Sequence, residues 1–137
     1  MTAYSFRFNG IPSWCGPLDG AAHGAEIPFA MLNLLGVGYT LADKKPFEDK
    51  PPSYAKLARL FNSDLISFVN SLDPNAWQRE KYGVPKWLPY ALDKPTNFVY
   101  EAENTSFIEP DTWRRDAINL IGWGNRDIMG RWQQSGS

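Results

Sequence analysis

The chain has 137 residues, 14 of them basic and 15 acidic, with a formal net charge of −1, 43% hydrophobic and 15% aromatic content. That balance fits one globular domain with a core and excludes a disordered chain; without a basic stripe, nucleic acid is not expected as a partner. A single cysteine, Cys15, excludes an internal disulfide framework and a cysteine-rich zinc site.

The first residues lack the basic start and apolar core of a secretory signal. Tyr4, Phe6 and Phe8 alternate with Ser5, Arg7 and Asn9, the period of a strand with one apolar face, closed by Gly10 and Pro12. A lone strand needs neighbours, so this start hints at sequence beyond the 137 residues. Residues 10–24 are rich in Gly, Pro, Ser and Asp and read as a long loop of the kind that carries function. The only histidine, His23, lies there between glycines, in Leu18-Asp19-Gly20-Ala21-Ala22-His23-Gly24-Ala25-Glu26-Ile27-Pro28-Phe29. An imidazole moves protons near neutral pH, and the flanking glycine and small residues let backbone approach a ligand closely.

Glu26 to Leu35 reads as a short apolar helix stopped by Gly36 and Gly38, too broken to span a bilayer. After a Lys-, Asp- and Pro-containing linker, Ser53 is expected to cap the clearest helix. Its Leu57, Phe61, Leu65, Phe68 and Leu72 recur at steps of three and four, and Asp73-Pro74 ends it. Residues 75–96 read as irregular chain. Asn97 to Glu101 and Ser106 to Ile108 are expected as a hairpin or two edge strands around Glu103-Asn104-Thr105. Asp111 can cap a last helix with Trp113, Ala117, Leu120 and Ile121 facing inward, before a polar tail over 131–137. No repeat and no second domain is visible.

Several ordered motifs together resemble the C-terminal portion of the type-B carboxylesterase and lipase family, the α/β hydrolases that include the cholinesterases, with fungal members nearest. They are the strand Tyr4-Ser5-Phe6-Arg7-Phe8, the histidine loop, Leu72-Asp73-Pro74-Asn75, Trp87-Leu88-Pro89-Tyr90, Asn97-Phe98-Val99-Tyr100 and Ile108-Glu109-Pro110-Asp111-Thr112-Trp113-Arg114. The resemblance implies an α/β fold class: residues 1–137 form one partial domain, a C-terminal fragment of the hydrolase fold with one main strand, the histidine loop and two or three helices. It implies carboxylic-ester or lipid hydrolysis in the complete parent, His23 as the catalytic base, and Glu26 supporting it from behind. It implies no metal and no organic cofactor.

A serine hydroxyl attacks a carbonyl only when a base takes its proton, and the base is oriented by a carboxylate. In α/β hydrolases the triad runs Ser, acid, His, with the serine in G-x-S-x-G. No G-x-S-x-G occurs in these 137 residues. The expectation is therefore one third of a triad, inactive alone, with exposed apolar surface prone to self-association.

Rival readings follow from the same residues. His23 with Glu26 supplies only two metal ligands, against the three or four that zinc needs. Cys15 with His23 could form a thiol–imidazole pair. Six Trp and six Tyr could line a carbohydrate-binding face, and an inactive hydrolase-like relic that binds a partner is a second non-enzymatic reading. Asn104-Thr105-Ser106 is an N-glycosylation sequon, consistent with a secreted parent, although the sequence itself leaves localisation open.

Overall fold

The computed structural model describes residues 2–16, 18–77 and 79–122. The polar tail over 131–137 lies outside the described residues.

Alternation near the start yields β1, Phe6–Phe8. Its expected lack of neighbours is corrected: β1 pairs in parallel with β2, Thr96–Tyr100, in the register Phe6↔Phe98 and Phe8↔Tyr100. Residues 9–95 form the crossover that a parallel pair requires. β2 then pairs antiparallel with β3, Phe107–Pro110, with Phe98 opposite Ile108, which is the expected hairpin. The sheet order is β1-β2-β3, the expected main strand joined in one sheet with the two strands of the hairpin. β2 is central, which explains why Asn97, Phe98, Val99 and Tyr100 are all buried.

The crossover contains α1, Ile27–Ala30, and α2, Pro52–Ser71. α1 is shorter than expected, because the chain turns at Leu32 (φ 51°) and again at Gly36 (φ 65°). α2 begins at Pro52 rather than on a Ser53 cap, with Pro51 at the N-cap and no side-chain capping bond. Proline suits this place because its missing N–H is one the first turn cannot satisfy anyway. Leu72 ends α2 in the left-handed region (φ 57°), and the Ser67 and Ser71 hydroxyls donate to the Asp73 carbonyl at 2.7 and 3.2 Å.

α2 lies on the aromatic face of the sheet. Phe61 meets Tyr100 with ring centroids 4.6 Å apart and Phe6 at 5.5 Å, and Phe8 meets Phe29 of α1 at 4.9 Å. Trp87 seals one end against Phe98 at 5.6 Å, and its indole N–H donates to the Ser5 carbonyl at 2.9 Å. Asn75 explains how Trp87 is held there. Its carboxamide accepts from the Trp87 N–H at 2.7 Å and donates to the Trp87 carbonyl at 3.0 Å, as a strand neighbour would. The opposite face of the sheet is polar, with a two-pronged Arg7–Glu109 ion pair at 2.7 and 2.9 Å across the strands.

Two packing expectations are corrected. The buried face of α2 is Tyr54, Leu57, Ala58, Leu60, Phe61, Ser63, Asp64 and Ser67, while Phe68 and Leu72 of the expected stripe are exposed. The chain from Asp73 to Trp87 folds back over the Ser63, Asp64 and Ser67 side of the helix and leaves the Leu72 side open. The chain is helical again over 115–122, but Trp113, Ala117, Leu120 and Ile121 are exposed rather than inward, and the Trp113 ring is covered on one face by the Arg114 guanidinium, 4.0 Å from its centroid. The Asp111 carboxylate is spent on the Tyr90 hydroxyl (2.9 Å) and the Asn97 amide (3.1 Å) instead of a helix cap.

Candidate functional site

The histidine loop is fixed from below. Ala25, Pro28 and Phe29 are buried, and Phe29 meets Phe8 edge to face and Phe47 at a tilt, the latter with its centroid 4.8 Å away. Above this anchor the backbone turns at Gly20 (φ 60°) and Gly24 (φ 80°), values that a side chain would oppose. Short turn bonds run from the Ala22 N–H to the Gly20 carbonyl, Ala25 to Ala22 and Ile27 to Gly24, at 3.0 to 3.2 Å.

His23 sits at the crest of this turn and is exposed, and among the described residues its imidazole has no hydrogen-bond partner. Glu26 is half-buried at the foot of α1, where its carbonyl accepts from the Phe29 and Ala30 N–H groups at 3.0 and 2.8 Å. No hydrogen bond or ion pair joins the Glu26 carboxylate to His23 among the described residues. The structure thus places both residues on one turn anchored at Ala25 and Phe29 and leaves the imidazole exposed. Cys15 is a half-buried free thiol, and no group of three His, Cys, Asp or Glu able to hold a metal is found among the described residues. Asn104 is exposed on the β2–β3 loop, beside a surface groove of about 410 Å³ lined by Lys56, Tyr82 and Glu101.

Sequence reasoning missed a second ionisable cluster. Asp64, on the buried face of α2, accepts from the Arg79 guanidinium and, at 2.7 Å, from the Tyr100 hydroxyl. Arg79 opens a 3-10 turn over Arg79–Tyr82, donates to the Pro85 carbonyl at 3.1 Å and lies 4.2 Å over the Phe98 ring. Burial pushes the Asp64 carboxyl above its ordinary value while Arg79 opposes the shift. Burial, then the Asp64 charge, pushes the Tyr100 hydroxyl well above its own. The signal was available, since Asp64 sits three residues after Phe61 and seven after Leu57 on an apolar stripe. The cluster ties the 73–87 segment to helix and sheet, and it holds no group exposed for chemistry.

Comparison with solved structures places the fold. A PNB esterase matches with a TM-score of 0.63 and 20% identity over 87% of this chain and 22% of that one. A carboxylesterase of Geobacillus stearothermophilus matches with a TM-score of 0.60 and 25% identity over 85% of this chain and 21% of that one. A thermophilic PNB esterase gives 0.62 and 17% identity over 84% and 21%. The chain spans about a fifth of the length of the structures it matches. No protein-family model matches the sequence, and no match was found among curated proteins. The three-stranded sheet and its helices therefore have the fold of a fragment of an esterase α/β hydrolase.

Proposed function

We propose that these 137 residues are the histidine-bearing, C-terminal piece of a carboxylesterase-like serine hydrolase, with His23 as the general base. The observation that carries the reading is an exposed imidazole on an anchored turn in a chain whose fold matches part of two kinds of esterase. In the complete hydrolase, His23 would take the proton of a serine hydroxyl as that oxygen attacks the ester carbonyl, and return it to the leaving alcohol. The serine, the triad acid and the oxyanion donors would come from the greater part of the domain. The nearness of the ordered motifs as a whole to fungal members, and the lipase activity of part of the family, belong to the same reading.

Glu26 acts in this reading as a positioning residue, holding the turn from its half-buried foot rather than touching substrate. Asn104, exposed on a loop, is a site for an N-linked glycan in a parent that passes through the secretory route. No helix among the described residues is long and apolar enough to cross a membrane.

The isolated chain carries the base without its nucleophile. Purified and folded, it is expected to release no more p-nitrophenol from a p-nitrophenyl ester than its His23→Ala variant. Turnover above that control would show that a nucleophile within the 137 residues does the work.

A further inference from the structure

The turn that presents His23 runs directly into α1, and α1 cannot aim it unaided. A helix of four residues has no stability of its own, so its direction is set by whatever holds it. No side chain caps its start, and the His23 imidazole meets no hydrogen-bond partner among the described residues. The backbone therefore decides where His23 points.

Two kinds of contact fix that backbone. Fully buried Phe29 is the pivot, with the rings of Phe8, Phe47 and Tyr54 at 4.9, 4.8 and 6.2 Å between centroids. Burial of this kind holds α1 on the core without preferring a direction. The second contact is directional. The carbonyls of Glu26, Ile27, Pro28 and Phe29 accept from the N–H groups of Ala30, Met31, Asn33 and Leu32 at 2.8 to 3.1 Å, which leaves the carbonyl of Ala30 over at the end of the helix. Asn62, half-buried on α2, donates its side-chain amide to that carbonyl at 2.7 Å. A hydrogen bond weakens steeply as its angle closes, so this one resists a rotation that the ring contacts allow.

We infer that Asn62 is a positioning residue for the proposed base: it ties the far end of α1 to α2 and thereby aims the imidazole at the near end. The turn bonds from the Ile27 N–H to the Gly24 carbonyl (3.2 Å) and from Ala25 to Ala22 (3.0 Å) carry the direction of α1 into the residues on either side of His23. The inference rests on the reading of His23 as the general base, and Asn62 acts on the reaction only through it. A shift of about 1 Å in a catalytic group is enough to cost about 10²-fold in rate. Ser67 supplies a matched contrast, because its hydroxyl makes the same kind of bond from the same helix, at 2.7 Å, to the Asp73 carbonyl instead of to α1.

The test uses the PNB esterase carrying this chain in place of the segment it matches, with hydrolysis of a p-nitrophenyl ester as the readout. Asn62→Leu keeps the size of the side chain and removes the donor. It is expected to lower kcat by about tenfold or more with KM unchanged. Asn62→Gln, which keeps an amide donor, should recover most of that loss, and Ser67→Ala should leave kcat unchanged. In the free 137-residue chain, backbone order parameters at His23 and Gly24 should fall from about 0.85 to about 0.6 or below in Asn62→Leu and hold in Ser67→Ala.

An Asn62→Leu chimera with full kcat, where His23→Ala inactivates, would overturn the inference and leave the base in place. A loss shared by Ser67→Ala, or one that Asn62→Gln does not recover, would overturn it too, since either marks general destabilisation. A chimera indifferent to His23→Ala would remove the base itself. If the chimera does not fold, the free chain decides, and a turn that stays ordered in Asn62→Leu would show that Asn62 does not aim it.

Discussion

Two ionisable centres divide this molecule. Asp64 is 1% exposed and finds both its partners within the chain, in Arg79 and Tyr100. His23 is exposed, on a turn braced by glycines, and finds none among the described residues. A charge taken out of water is tolerable only where it is paired and hydrogen-bonded, so the first centre is an internal bolt whose worth is stability. An exposed imidazole contributes little to stability, and the chemistry proposed for it needs a nucleophile and an acid beside it. Burial alone therefore separates the residue that holds the fold from the residue proposed to serve the reaction.

The sharpest way to break that contrast is Asp64→Ala, which leaves the Arg79 guanidinium buried and unpaired. It is expected to cost about 3–5 kcal/mol in denaturant unfolding. Tyr100→Phe removes one donor to the same carboxylate and should cost roughly 1–3 kcal/mol. Values near zero for both would mean that the cluster is not a bolt.

A smaller effect tests the electrostatics. Burial, the larger cause, raises the folded-state pKa of Asp64 above the ordinary 3.8. Its contribution is then complete below the unfolded value and is lost as pH rises through the folded one. The Tm of the wild type should fall relative to that of Asp64→Asn from about pH 4 upward. A gap that moves the other way would show that Arg79 outweighs burial. Smallest of all, His23→Ala and Leu120→Ser should each change stability by less than about 0.5 kcal/mol, since neither side chain is packed. A large loss at His23 would erase the distinction between the centres.

Periodicity made β1, α2 and the β2–β3 hairpin legible, because each follows a local repeat of two or of three and four. The parallel pairing of β1 with β2 was not legible, since residues 9–95 intervene and no local signal marks a partner so distant. Asp64 was passed over for a related reason. On an apolar stripe a carboxylate reads as a flaw until Arg79 and Tyr100 arrive from other elements and both donate to its Oδ2. Periodicity also overstated burial at Phe68, Leu72, Trp113, Leu120 and Ile121. It reports which face is apolar, whereas the covering of that face depends on what packs against it. The histidine loop stood out for its composition, and the structure adds the buried anchor at Ala25 and Phe29.

His23 carries the proposed chemistry, and a chimera tests it most directly. The PNB esterase is rebuilt with this chain in place of the segment it matches, and hydrolysis of a p-nitrophenyl ester is followed with and without His23→Ala. If His23 is the base, the chimera is active and its kcat falls by about 10⁴-fold or more in the variant, with its fold and Tm unchanged. A folded, active chimera that is indifferent to the loss of His23 would contradict that role.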